Sequence, residues 1–164
     1  MLITNLAQIE TIATHKEAEN IQFKDYLKSI DTNVIDRLVL QLVQQIEPQI
    51  DCTQCGNCCK TLMINVTKTE ADHLALYLEQ SRIEFDEKYL EKSTNGMIFI
   101  NTIPCHFLKN NKCTIYNYRF EGCREFPGLH LPKFTQRLFT IFMHYNRCPI
   151  VFNVIEELKL TTNF

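Results

Sequence analysis

Residues 52 to 59 read Cys52-Thr-Gln-Cys55-Gly-Asn-Cys58-Cys59, four thiols inside one short, turn-rich stretch. The other four cysteines, Cys105, Cys113, Cys123 and Cys148, all follow it, and none precedes it. A C-x2-C step offers two sulfurs to one metal ion from a single turn of chain. Gly56, directly after Cys55, supplies the backbone freedom that a metal-gripping turn needs and that a Cβ would resist. The pattern specifies metal and leaves the metal open.

The rest of the composition narrows the setting. A chain of 164 residues suits one domain and is long enough to bury a hydrophobic core. Met1 to Ala18 holds no basic start followed by an apolar run, so no secretory signal is predicted. No stretch approaches the ~18 apolar residues of a membrane span. The sequence therefore predicts a cytoplasmic protein, where thiols stay reduced and eight cysteines argue for metal rather than disulfides. Between Cys105 and Cys148 stand seven Lys or Arg against only Glu121 and Glu125. A nucleic-acid patch would explain that excess, but no interleaving of aromatic and basic residues supports base stacking. Cations beside an anionic thiolate site explain it better. Lys60, Arg119, Arg124 and Arg147 adjoin or closely flank cysteines, as outer partners of such a site should.

Residues 1 to about 50 read as helical. Leu6, Ile9, Ile12 and Ala13 form a first apolar stripe, and Ala18, Ile21, Tyr26, Leu27 and Ile30 a second. Asp31 to Asn33 cap a third helix with inward Ile35, Leu38, Val39, Leu42, Val43 and Ile46, stopped near Pro48. These helices are expected to pack on the core, with docking of an unidentified protein partner as the alternative. Leu62 to Val66 reads as a short extended segment. Thr67-x-x-Glu70 is a capping box opening a helix over about residues 68 to 80, on which His73 faces solvent. Phe85, Tyr89 and Leu90 anchor the charged stretch after it. Ser93 to Gly96 is a turn, and Met97 to Ile100 a strand. Asn110-Asn111 turns the chain between Cys105 and Cys113. Phe134, Leu138, Ile141, Phe142 and Tyr145 trace a helix that delivers Cys148. Pro149 opens the last helix, with Val151, Phe152, Ile155 and Leu158 inward.

The fold class expected is mainly α with short strands and irregular cysteine-rich loops (α+β), a single compact domain organised around a metal site. Within it, residues 1–49 form a helical segment packing on the core, and 50–164 a cysteine-cluster domain with the C-terminal helices.

Cys52-x2-Cys55-Gly-Asn-Cys58-Cys59, Pro104-Cys105-x-Phe107-Leu108, Cys113-x-Ile115-Tyr116-x2-Arg119, Cys123-Arg124-x-Phe126-Pro127 and Cys148-Pro149 together resemble the CxxCxxCC cysteine-cluster (YkgJ-type) family. The resemblance covers roughly residues 50 to 150 and implies a zinc- or iron-chelating domain. It departs at Arg119-Phe120, where such proteins commonly have Arg-Pro, which would stiffen the turn. A related cysteine arrangement occurs in flagellin lysine methyltransferases, a similarity confined to the metal module. No nucleotide or S-adenosylmethionine motif is recognisable here.

All eight cysteines are candidate ligands, for two four-thiolate sites or for one site with the remainder around it. Extended backbone would point Cys58 and Cys59 apart, one toward each of two sites. The Cys-x2-Cys-Gly turn suits zinc, whereas the dense Cys-x2-Cys-x2-Cys run suits a [4Fe-4S] cluster, though the Cys-Pro that usually follows such a run is missing. The expected function is a metal-binding protein in a structural, redox or sensing role. The alternatives are a metal-dependent enzyme or transferase subunit and a metal-stabilised interaction module. Thiol oxidoreduction through Cys52 and Cys55 lacks a βαβ setting, and His106 beside Cys105 does not make a triad, so no catalytic residue is assigned.

Overall fold

Three helices open the chain: α1 (Leu6–His15), α2 (Glu17–Lys28) and α3 (Thr32–Ile46). Two single turns, α4 (Cys52–Cys55) and α5 (Asn57–Thr61), precede α6 (Lys68–Tyr77) and α7 (Arg82–Tyr89). Strands β1 (Leu90–Lys92) and β2 (Ile98–Ile100) pair antiparallel, as do β3 (Leu108–Lys109) and β4 (Lys112–Cys113). Helices α8 (Glu121–Glu125), α9 (Leu138–Met143) and α10 (Pro149–Thr161) complete the order. This is the expected α+β class, mainly helical with two small antiparallel sheets. The structure is a computed structural model and describes all residues, Met1–Phe164.

The chain divides into two compact units, Met1–Asp51 with Pro127–Phe164, and Cys52–Phe126. Helices α9 and α10 belong to the same unit as the three N-terminal helices. No helix is long and apolar enough to cross a membrane.

In the helical unit α3 packs along α10. Asp31 caps α3 by accepting from Asn33 N–H at 2.7 Å, as its position predicts. Ile35, Val39, Leu42, Val43 and Ile46 are buried, which is the expected stripe with Leu38 at its edge. The stripe on α2 is out of phase with the expectation. Phe23 and Leu27 are fully buried, whereas Ile21 is half in solvent at 52% exposure. Phe23 fills the core because Phe164 lies against its ring at 4.8 Å, a partner that local spacing does not reveal. Helix α10, opened by Pro149, buries Ile150 to Ile155 without interruption, so it is the central helix of its unit rather than a one-sided one. Within it Asn153 bonds the Ile3 carbonyl at 2.8 Å and accepts from the Ile3 N–H at 2.9 Å, tying the N-terminus down.

The second unit is built around Val66, Ala71, Leu74, Ala75, Phe85, Ile100, Phe107, Ile115 and Phe120. Helix α6 opens with the predicted Thr67/Glu70 capping box, and α7 with a second one, Ser81/Glu84. The extended segment before α6 lies along β2, with Val66 N–H donating to Ile98 O at 2.8 Å and Ile100 N–H to Ile64 O at 3.0 Å. His73 is exposed, and Tyr77 stacks on Tyr118 at 3.8 Å between ring centres.

Candidate metal centre

The cysteine loop is two helical turns hinged at a glycine. In α4 the i, i+3 spacing puts Cys52 and Cys55 on one face. Gly56 then takes φ +59°, a left-handed conformation that ends the turn and lets α5 begin. A Cβ on Gly56 would lie 3.0 Å from the carbonyl oxygen of Asn111 and 3.3 Å from its Cα. The hinge is thus pressed on the tip of the β3–β4 hairpin, where Asn110 and Asn111 both have positive φ in a two-residue turn. Helix α4 lies against β4. Cys58 and Cys59 share the α5 turn, which corrects the extended geometry expected of them. Adjacent side chains on a helical turn stand about 100° apart rather than on opposite sides, and Cys58 is near enough to help hold the Cys59 thiol below its usual range.

Three downstream cysteines reach the same unit by separate routes. Cys105 N–H donates to Cys59 O at 2.8 Å, joining the two segments directly. Cys113, on β4, stands opposite Leu108 in the hairpin register. Cys123 rides on α8, whose first residue donates its Glu121 N–H to Glu70 Oε1 at 2.6 Å. The other Glu70 oxygen closes the capping box on Thr67, so one carboxylate orients both α6 and α8. Burial alone would raise the Glu70 carboxyl, but the bonds from Glu121 and Thr67 outweigh it and hold it below its usual range. Cys105, Cys113 and Cys123 are half-buried against the unit's apolar core.

These thiols lie within electrostatic reach of one another. Burial, then repulsion from Cys59, Cys105 and Cys113, pushes Cys123 up to about 12. Burial also raises Cys105 and Cys113, each with Cys59 as a repelling neighbour. Cys59 moves the other way, to about 7, through the Cys58 hydrogen bond against its own burial, helped by Lys60. Four thiolates cannot coexist here without a cation, since each one formed discourages the next. A bound metal ion would reverse that balance and release the protons.

No three Cys, His, Asp or Glu side chains are near enough together, as they stand, to hold a metal ion. The donor set nonetheless fits a thiophilic metal. Cys59 on α5, Cys105 in the irregular segment before β3, Cys113 on β4 and Cys123 on α8 are all half-buried, with cationic neighbours. Arg119 acts on Cys113 and Cys123, and its guanidinium lies 3.9 Å from the Tyr116 ring centre while donating to Tyr116 O. Arg124 braces the same loop by donating to Arg119 O at 2.7 Å. Cys52 is exposed, and Cys55 and Cys58 are half-buried in the same unit. Cys148 and Arg147 belong to the helical unit, where Cys148 is buried at the start of α10. None of the eight cysteines is in a disulfide. His106 Nε2 bonds Asn101 Oδ1 at 2.7 Å, and its ring meets Tyr89 edge-on. Glu70 is the residue that sequence reasoning missed in part: its capping box was visible, its second bond to α8 was not.

A small α+β unit that gathers thiols from an N-terminal loop, a hairpin and a helical turn defines a cysteine-cluster metal-binding protein. The model of the CxxCxxCC family, described as a "putative zinc- or iron-chelating domain", matches residues 51–148, and the chain belongs to that family. The match spans all eight cysteines. No curated protein and no solved structure matches the chain.

Proposed function

We propose that this protein holds a thiolate-bound metal centre through Cys59, Cys105, Cys113 and Cys123, in a structural, redox or sensing role in the cytoplasm. The observation that carries it is the convergence of half-buried Cys105, Cys113 and Cys123 on one apolar core, with Cys59 joined to them through the Cys105 N–H bond to its carbonyl oxygen at 2.8 Å. An iron–sulfur cluster and a zinc ion both take four thiolates, and the cluster is assigned first for the dense Cys52-x2-Cys55-x2-Cys58 run in the same unit. A zinc ion is the second reading, favoured by the left-handed Gly56 directly after Cys-x2-Cys. Such a centre would supply electron exchange as a cluster or a fixed cross-link as zinc. The protein's part is to place the sulfurs, shield them from water and surround them with Lys60, Arg119 and Arg124.

Anaerobic purification followed by metal and sulfide analysis tests this. Brown protein with iron and acid-labile sulfide in equal amounts is the expected result. Colourless protein with stoichiometric zinc would move the assignment to the second reading. Protein that holds neither when purified or reconstituted would overturn the metal-centre reading itself.

A further inference from the structure

One surface of the cysteine unit gathers exposed tyrosines and arginines, residue types that concentrate in protein interfaces. The turn Tyr116–Tyr118 leaves Tyr116 45% and Tyr118 52% exposed. Tyr118 stacks on Tyr77 of α6, itself 45% exposed, and Leu76 beside it on the helix is 79% exposed. Arg119 lies over the Tyr116 ring, and Arg124 donates to the Arg119 carbonyl oxygen at 2.7 Å. Rings and guanidinium groups thus brace one another, so a partner meets a surface that is already ordered. Neither arginine forms an ion pair, whereas Arg82 of the same unit holds both Asp72 and Asp86. Glu70, whose carboxylate senses Arg124, has its two oxygens engaged with Thr67 and with the Glu121 N–H. Two guanidinium groups therefore stand beside exposed rings with no carboxylate bonded to them.

We propose that this surface docks an acidic segment of a partner protein, with carboxylates on Arg119 and Arg124 and apolar side chains against the tyrosines and Leu76. Charge selects the occupant. A guanidinium takes a carboxylate through paired N–H bonds, and rings packed around such a pair exclude water from it. The use of the ring faces separates a protein partner from a nucleic acid. Tyr77 and Tyr118 each spend a face on the other, and Tyr116 spends one on Arg119. What remains suits side chains that pack on ring edges, whereas base binding is built on open aromatic platforms. The surface begins three positions after Cys113, so the partner stands beside the cysteine group. The inference does not depend on which metal that group holds.

The test uses the full chain as purified, with fluorescein-labelled probes read by fluorescence anisotropy. The acidic probe is the peptide Glu-Glu-Leu-Glu-Glu-Leu-Glu-Glu. Its controls are the same peptide with lysine in place of glutamate and a single-stranded thymidylate oligomer. Saturable binding of the acidic peptide that weakens with added salt is expected. Tyr77→Ala and Tyr118→Ala should each weaken it about tenfold, as loss of a central aromatic contact does. Leu76→Asp, at an exposed position that folding does not use, should weaken it as well by repelling the probe. Metal content, measured on the same samples, should match the parent in all three variants, so that loss of docking is read apart from loss of the centre. Absence of saturable binding would overturn the proposal, as would equal binding of the lysine peptide or unchanged binding in all three variants. Tighter binding of the thymidylate oligomer would overturn it in favour of a nucleic acid. Self-association of the parent that Leu76→Asp abolishes would overturn it in favour of a second copy of this chain. Binding lost only together with metal would make the surface part of the centre and remove the docking role.

Discussion

Gly56 shows how much one residue can decide in this unit. Its positive φ costs a Cβ-bearing residue about 1 kcal/mol, and the contact with Asn111 adds a clash with backbone that cannot swing aside. Gly56→Ala is therefore expected to destabilise the cysteine unit by about 1–3 kcal/mol in denaturant titration. It should also weaken metal binding, because α4 and α5 lose their seat on the hairpin. An unchanged midpoint and unchanged cobalt affinity would show that the hinge is dispensable. Gly56 was legible from its place after Cys55, since few residues but glycine turn a chain there. Glu70 was legible only in part. A capping box is a local pattern of four residues, whereas the bond to Glu121 spans 51 positions and leaves no periodic trace. Glu70→Ala removes three charge-assisted bonds and should cost about 1–3 kcal/mol, with a larger loss of metal affinity than the Ser81→Ala cap loss on α7 produces. Equal effects from the two variants would confine Glu70 to its own helix.

Among the elements, those with a strong internal signal formed as expected: α3 with its stripe and Asp31 cap, α6 with its box, and α10 after Pro149. Those whose shape depends on remote partners did not. The α2 stripe was misphased because Ile21 and Phe23, two positions apart, stand on nearly opposite faces of the helix, and the contact with Phe164 marks the Phe23 face as the inward one. The cysteine loop became helical turns because Gly56 resets the backbone between them. Helix α10 also carries a charge where its pattern allows none. Lys159 is buried at 4% exposure, bonded at 2.7 Å to both Glu19 and Glu156. Tyr145 Oη donates to Glu156 at 2.7 Å, and Lys16 reaches the same carboxylate. Burial alone would raise Glu156, but the bonds from Lys159, Lys16 and Tyr145 win and hold it below its usual value of 4.5. A lowered carboxyl contributes stability that is complete above the unfolded value and lost as pH falls through the folded one. The metal-free helical unit should accordingly lose stability as pH drops below about 4.5, and Glu156→Gln should flatten that decline. Parallel acid limbs for parent and variant, followed by circular dichroism at 222 nm (the ~222 nm helical band), would remove Glu156 from the account.

At the scale of the whole molecule, the metal's hold on the fold should be confined to one unit. The helical unit has a continuous core of its own, with Phe23, Ile35, Phe134, Phe152 and Ile155 fully or almost fully buried. Burying such side chains contributes roughly 1.5–3 kcal/mol each, so that unit does not require ligation to fold. The cysteine unit has a smaller core, and its Cys52–Thr61 and Cys105–Phe126 segments carry little regular hydrogen bonding beyond one hairpin and single turns. Where backbone order is that sparse, ligation free energy is folding free energy. Hydrogen exchange on holoprotein and on the same protein after chelation reads both units at once. Metal removal should increase exchange across residues 52–61 and 105–126, by about a hundredfold or more if ligation supplies ~3 kcal/mol of local stability. Amides of α3 and α10 should keep their protection. Uniform loss across α3 and α10 would show that the metal stabilises the helical core as well. Unchanged exchange in residues 52–61 and 105–126 would show that these loops stand without metal, and the role of the centre would then be redox or sensing rather than structural.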